Sequence, residues 1–177
     1  MYVNVPDDRF NLLKNEMKNK LEYETGANID IDKDAKIVNV KHKNSIKELD
    51  AKIIIESISL GFSLPVALQL CRKPEYRFEK LNIRELTRNK KEFNRQMGRI
   101  IGKDGRTKEL ISELTDTNIM IKRDVVGVIG SLDDVMKARD AILQFIDGTP
   151  HSRIYNDLEK YKSQKSIKVK NLSNKKQ

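Results

Sequence analysis

Cysteine is almost missing from this chain. One residue in 177, Cys71, excludes an intrachain disulfide and a cysteine-based metal cluster, and fits a reducing cytoplasm. Histidine is nearly as scarce: His42 and His151 lie far apart and have no HxxH or HExxH partner, so they make a poor metal site. Carboxylates and histidines clustered at ligand spacing are lacking as well, which leaves an enzyme such as a nuclease without support and no cofactor implied. No apolar run approaches membrane-spanning length, since residues 53–60 are interrupted by Glu56 and two serines. Residues 1–8 show no basic region followed by an apolar core, so a soluble, non-secreted protein is expected.

Positive charge, by contrast, is abundant. Lysine and arginine number 35 against 26 acidic residues, a formal net charge of +9, with a pI near 9.5. Such a balance fits a phosphate-bearing partner, and equally a lysine-rich solvated surface. The length accommodates one or two domains.

An internal repeat decides for two. Thr25, Asn28, Ile29 and Ile31 reappear as Thr115, Asn118, Ile119 and Ile121 at a constant spacing of 90 residues. After a small gap, Ala51, Lys52 and Ile55 correspond to Ala138, Arg139 and Ile142. In the second copy, residues 76–81 read as a strand and 92–97 as a short helix. Leu110, Ile111 and Leu114 follow helical spacing, and Ile119 and Ile121 alternate as in a strand. A β-branched strand over 125–129 precedes an N-cap at Ser131 and the stripe Val135, Ala138, Ile142, Phe145, which ends near Gly148. The order is strand, helix, helix, strand, strand, helix. The first copy matches it, with strands at 2–5, 28–31 and 37–40, helical segments through 10–24, and a helix from Ser45 to about Leu60 whose stripe is Ile46, Leu49, Ile53. Between the copies, Ser63-Leu64-Pro65 reads as a helix start, with Leu64, Leu68 and Leu70 as an apolar face docked between the domains. The lysine-rich stretch from Ser163 reads as a frayed basic tail.

The chemistry concentrates at residues 98–108, Gly-Arg-Ile-Ile-Gly-Lys-Asp-Gly-Arg-Thr-Lys. Gly102-Lys103-Asp104-Gly105 is a GxxG tetrapeptide between an apolar pair and a helix. Glycines give a turn with positive φ and let a phosphodiester come close to the main chain. The helix that follows offers unpaired N–H groups to an anion. Lys103, Arg106 and Lys108 add positive charge, with Arg99 upstream, and Ile100 and Ile101 with Ile119 and Ile121 would line a groove for splayed bases. In KH domains such a loop clamps the backbone of a short single strand. A P-loop is excluded, because Gly98 to Gly102 is one residue short and Asp104 stands where a magnesium-binding hydroxyl belongs. A dinucleotide fingerprint lacks both its spacing and a parallel sheet.

In the first copy Leu12-Leu13-Lys14-Asn15 takes the place of the loop, so this copy is expected to be degenerate, supporting the other or contacting a protein. Arg9 corresponds to Arg99 and is read either as a phosphate contact or as a solvated arginine.

The tandem arrangement, the joining segment Gly61-Phe62-Ser63-Leu64-Pro65-Val66-Ala67-Leu68, the run Arg99-Ile100-Ile101-Gly102-Lys103-Asp104-Gly105-Arg106, and Gly148-Thr149-Pro150-His151 with Tyr155 together resemble a known family. It is the archaeal two-KH-domain family of small-subunit ribosome biogenesis, related to the eukaryotic partner of the Nob endonuclease. The resemblance implies an α+β fold of two tandem type I KH domains, at 1–75 with a linking helix and at 76–162, followed by the tail at 163–177. It implies a cytoplasmic, non-enzymatic adaptor. The adaptor would bind single-stranded RNA of the small-subunit rRNA 3′ region or its precursor and guide its maturation by that endonuclease, with the alpha subunit of translation initiation factor two as a further partner. The rival is a protein-interaction scaffold. RNA contacts carry over to Gly102, Lys103, Asp104, Gly105 and Arg106, and then to Arg99, Ile100, Thr107 and Lys108. Pro150 and His151 either extend the surface or form a helix-terminating turn.

Overall fold

The computed structural model describes residues 1–10, 13, 16–32 and 34–174. The chain divides into two compact units, Met1–Phe78 with Met120–Arg123, and Glu79–Ile119 with Asp124–Gln177.

The first unit runs β1 (Tyr2–Asn4), α1 (Asp7–Phe10), α2 (Glu16–Thr25), β2 (Asn28–Asp32), β3 (Ile37–Lys41) and α3 (Ser45–Leu60). Its sheet has the order β1-β3-β2, antiparallel, with Val3 opposite Val38 and Ile29 opposite Val40. Alternation places Val3, Ile29, Val38 and Val40 in the core, whereas Tyr2, Asn28 and Asp30 face solvent. Helix α3 begins where the Asn44 side chain accepts the Ile46 amide at 2.8 Å and ends at Gly61, whose φ of 132° only glycine adopts readily.

The stripe read from the sequence for α3 is out of phase. Ile46 and Leu49 are 71% and 44% exposed, and the core is instead met by Ala51, Ile54, Ile55 and Ile58. Three consecutive isoleucines, 53 to 55, satisfy either phase, so apolar spacing alone does not fix the buried face. Beyond α3, Ser63 stands at the N-terminus of the short helix α4 (Leu64–Ala67) without a side-chain capping bond, with proline in its first turn, and α5 (Gln69–Arg72) follows. Leu68 joins the core of the first unit and Leu64 and Leu70 pack on it, while Arg72 Nε donates to Glu24 at 3.1 Å. Of the expected degenerate loop, Leu13 is buried in that core; Leu12, Lys14 and Asn15 lie outside the described residues.

The second set of elements is β4 (Tyr76–Asn82), α6 (Lys90–Ile101), a 3-10 turn over Lys103–Gly105, α7 (Arg106–Thr115), β5 (Asn118–Lys122), β6 (Val125–Ser131), α8 (Leu132–Ile146) and α9 (His151–Asn174). Its sheet order, β4-β6-β5, repeats that of the first. Helix α6 is longer than its apolar residues predict because Asn89 caps it, accepting the Glu92 amide at 2.9 Å. The stripe Val135, Ala138, Ile142, Phe145 is buried as the periodicity requires.

The stretch expected to fray from Ser163 is helical through Asn174. Ile154 and Leu158 are buried, and α9 packs on α7 and α8. Past them, the buried Asp134 holds the helix: its carboxylate accepts from Tyr161 Oη at 2.8 Å and from Lys165 Nζ at 2.7 Å. Lys165 also reaches Asp116 at 2.8 Å. Burial depresses the Lys165 ammonium, but its bonds to Asp116 and Asp134 outweigh that and hold its pKa above the ordinary value. Desolvation, and then the bond to Asp134, push the Tyr161 phenol up.

Asp134→Ala leaves the Tyr161 hydroxyl and the Lys165 ammonium without their common acceptor. The second unit is expected to lose about 2 kcal/mol in urea unfolding, with α9 exchanging its amide hydrogens faster than α8.

Candidate nucleic-acid interface

Helix α6 stops at Gly102 because the backbone there turns to a φ of 74°. Asp104 (φ 52°, ψ 28°) and Gly105 (φ 80°, ψ 3°) are both left-handed, so the chain reverses within four residues and enters α7. At Gly102 the close approach is extreme. A Cβ there would stand 2.2 Å from Thr107 Oγ1 and 2.7 Å from the Thr107 amide nitrogen, whereas at Gly105 it would meet nothing within 4 Å. Gly102 is therefore demanded by sterics, and Gly105 by conformation alone.

Thr107, 4% exposed, fills the space under Gly102. Its hydroxyl is 3.1 Å from Tyr155 Oη, which is 3.3 Å from His151 Nδ1. The His151 ring lies edge-on to Phe145, with centroids 4.8 Å apart. The loop thus rests on a polar chain that ends on α9. Burial, and then the nearby Arg99, hold the His151 pKa below its ordinary 6.5.

Outside this support the loop faces solvent. Lys103, Asp104 and Arg106 are exposed, and Gly102, Gly105 and Lys108 partly so. No side chain caps the first turn of α7; the Arg106 amide donates to the Lys103 carbonyl, and the dipole of a helix N-terminus favours an anion there. Arg106 makes only a loose pair with Glu109, at 3.9 Å.

Three of the residues that the sequence assigns to RNA are placed otherwise. Arg99 is not a mobile cation: its guanidinium donates to the Phe145 carbonyl at 2.9 Å and to that of Thr149, closing the C-terminus of α8, where a cation is favoured. Ile100 is fully buried, as is most of Ile119, so neither lines an open groove; Ile101 and Ile121 keep partial exposure. Thr107 supports the loop from beneath. Pro150 precedes α9 and His151 opens it, so the segment starts a helix as well as ending one. The sequence reading missed the Thr107–Tyr155 contact, although Ile154, Leu158 and Tyr161 at helical spacing mark the face on which α9 packs.

Residues 77–163 match the family described as the eukaryotic type KH-domain (KH-domain type I), second domain of PNO1. A KH domain-containing protein of Methanocaldococcus jannaschii is 29% identical over 162 residues, covering 88% of this chain and 71% of that protein. Residues 77–163 thus carry a type I KH domain similar to the second KH domain of PNO1. The pre-rRNA-processing protein PNO1 of Debaryomyces hansenii is 30% identical over 105 residues, which cover 59% of this chain and 41% of that protein, so the chain spans less than half the length of this yeast relative. Among solved structures, that of the a/eIF2alpha–aDim2p–rRNA complex from Pyrococcus horikoshii contains a chain with a TM-score of 0.80 and 27% identity, covering 93% of this chain and 94% of that one. Among the described residues no helix is long and apolar enough to cross a membrane.

Gly102→Ala is expected to lower stability by about 2 kcal/mol or more and to remodel the loop, whereas Gly105→Ala costs about 1 kcal/mol, the left-handed penalty alone. Paired denaturation curves check the difference. His151 generates a pH effect. Since the fold favours its neutral ring, the stability it confers is full above about pH 6.5 and falls as the pH drops through 6.5 toward the depressed value. Melting temperatures across pH 7.5 to 5 are expected to decline less in His151→Gln.

Proposed function

We propose that this protein is a non-enzymatic adaptor that holds single-stranded RNA of the small-subunit rRNA 3′ region, or its precursor, on the loop between α6 and α7. The observation that carries the reading is the loop itself: an exposed left-handed turn leading into a helix N-terminus without a side-chain cap, with Lys103 and Arg106 at the surface, braced from below by Thr107. Phosphates bind there, and bases are read beside it. The kinship with a pre-rRNA-processing protein and with the protein of an rRNA complex supports rRNA as the ligand. The same complex supports the alpha subunit of translation initiation factor two as a partner; guiding maturation by a Nob-type endonuclease in the cytoplasm is the further part of the proposal. RNA binding resides in residues 76–162, through Gly102, Lys103, Asp104, Gly105, Arg106 and Lys108, while residues 1–75 support them or hold a protein.

The scaffold reading is favoured by a different observation, the exposed Ile46 and Leu49 on α3. It predicts tight partner binding with weak RNA binding by the protein alone.

Lys103→Asp sets a second carboxylate beside Asp104 in an exposed position. It is expected to keep the fold, by circular dichroism, and to lower affinity for an rRNA 3′-end oligonucleotide at least about ten-fold, in fluorescence anisotropy. With about four phosphates neutralised, wild-type affinity falls about fifty-fold between roughly 50 and 200 mM salt. Unchanged binding in the variant means that the loop is not the clamp.

A further inference from the structure

Helix α3 is apolar on two faces. Its inner face carries Ala51, Ile54, Ile55 and Ile58, all buried, while Ile46, Leu49, Ile53 and Leu60 recur at helical spacing on the other side. There Ile46 is 71% exposed and Leu49 44%, with Ile53 and Leu60 partly so. A helix that is apolar all round is ordinarily covered on both sides. Among the described residues of the first unit, this one is fully covered on only one.

The internal repeat shows that the fold does not require the second apolar face. With Ala51 set on Ala138 and Ile55 on Ile142, Ile46 stands where α8 has Asp133, Leu49 where it has Met136 and Ile53 where it has Asp140. Both aspartates are exposed. The same helix in the second copy therefore accepts a carboxylate at two places where the first copy keeps isoleucine.

Beside the middle of the stripe the surface is concave. Asp50 and Ile53 of α3, Leu70 of α5, and Tyr76, Arg77 and Phe78 at the start of β4 line a cavity of about 280 Å³, and all six belong to the first unit. The Phe78 ring stands edge-on to Phe62, with centroids 5.9 Å apart, and Lys73 Nζ lies 4.3 Å from the centre of the Tyr76 ring. An aromatic-walled cavity beside an aliphatic stripe suits one anchoring apolar side chain with others a helical turn away. The rim is cationic. Lys43, Lys47, Lys73 and Arg77 are exposed in the segments that frame the cavity, and Arg77 Nη1 donates to the carbonyls of Pro74 and Tyr76, at 2.6 and 2.7 Å. Of the acids in those segments, Glu48 is bonded to the Met1 amine, which leaves Asp50 and Glu75. Together with the net charge of +9, this rim favours an acidic partner over a second copy of the chain. The stripe itself is aliphatic and offers a nucleic-acid base no ring to stack on.

We propose that the outer face of α3, with the cavity beside it, is the docking site for an acidic amphipathic helix of a partner protein. The partner's apolar residues lie along Ile46, Leu49 and Ile53 with one side chain seated in the cavity, and its carboxylates meet Lys47, Lys73 and Arg77. The inference rests on the reading of residues 1–75 as a part that holds a protein, and adds to it the surface used and the chemistry of the partner. It is independent of the loop.

The test uses the full chain and a fluorescein-labelled, helix-stapled peptide of about sixteen residues, the length of α3, with leucine on one face and glutamate elsewhere. Two control peptides carry lysine for glutamate or alanine for leucine. In anisotropy the acidic peptide is expected to bind at least about ten-fold more tightly than either control and more weakly as salt rises, and to shift amide resonances of α3, α5 and the start of β4. Ile46→Asp/Ile53→Asp, which writes the residues of α8 into α3, is expected to lower its affinity at least about ten-fold. Arg77→Glu, which leaves every apolar contact in place, is expected to lower it about five-fold. Both variants are expected to bind the rRNA 3′-end oligonucleotide as wild type does. Equal affinity for the three peptides, unchanged peptide binding in the double variant, or shifts confined to other elements overturn the groove. So does a concentration-dependent dimer that the double variant abolishes in sedimentation, which assigns the face to a second copy, or a loss of RNA affinity in that variant, which assigns it to RNA. If the alpha subunit of translation initiation factor two binds wild type and both variants equally while the peptide binds none, the groove is wrong and the protein-holding role of the first unit stands.

Discussion

Thr107 occupies the volume that any side chain at Gly102 would need, and the shape of the loop depends on that contact. A turn built from Gly102, a left-handed Asp104 and a left-handed Gly105 is not a low-energy conformation by itself. It persists because Thr107 is buried beneath it and tied to Tyr155. The hydroxyl pair links the start of α7 to a helix 48 residues further on, so α9 is part of the apparatus that shapes the loop, although it contributes none of the glycines or cations.

The same logic explains where the structure places Arg99. A basic residue three places before a phosphate-binding glycine has the right sequence position for a phosphate contact, and composition cannot separate that role from the one it fills. The separation comes from the end of α8 and the turn that follows it, where the carbonyls of Phe145 and Thr149 accept from the guanidinium. Tethering Arg99 there sets α6 against α8, while Gln96 Nε2 reaches the Ile146 carbonyl at 2.8 Å from the same helix. Two side chains of α6 thus satisfy the exposed end of α8, and the loop is held from both of its flanking helices.

What the sequence made legible follows from how local each signal is. The repeated order of strands and helices, the Asn28–Ile31 and Asn118–Ile121 correspondence, the helix start after Ser63 and the cap at Ser131 are written within a few residues, and all reappear in the fold. The phase of α3 was not legible, because Ile53, Ile54 and Ile55 compete for the core and only packing decides among them. Nor was the length of α9. Its lysines look like a solvated tail until Asp134, some 31 residues earlier, is seen to hold Lys165. Within the site, the glycines and cations could be read, since their roles are set by backbone geometry and charge. Burial of Ile100 and Thr107 could not, since both lie at helix positions whose facing depends on where α8 and α9 dock.

The two units also show which part of the architecture is independent of the loop. Both build a sheet of the same strand order and cover it with a long helix, and in the first unit Leu13 is nearly fully buried in the core. A leucine packed inward near the helix junction stabilises by removing apolar surface from water. A glycine loop presented outward forgoes that gain and accepts left-handed backbone as well. The second unit adds contacts made through α9, a helix outside the six-element pattern: the Thr107–Tyr155–His151 chain and the Asp134–Lys165 anchor. In this chain the exposed loop is braced by an added helix, α9, through Tyr155.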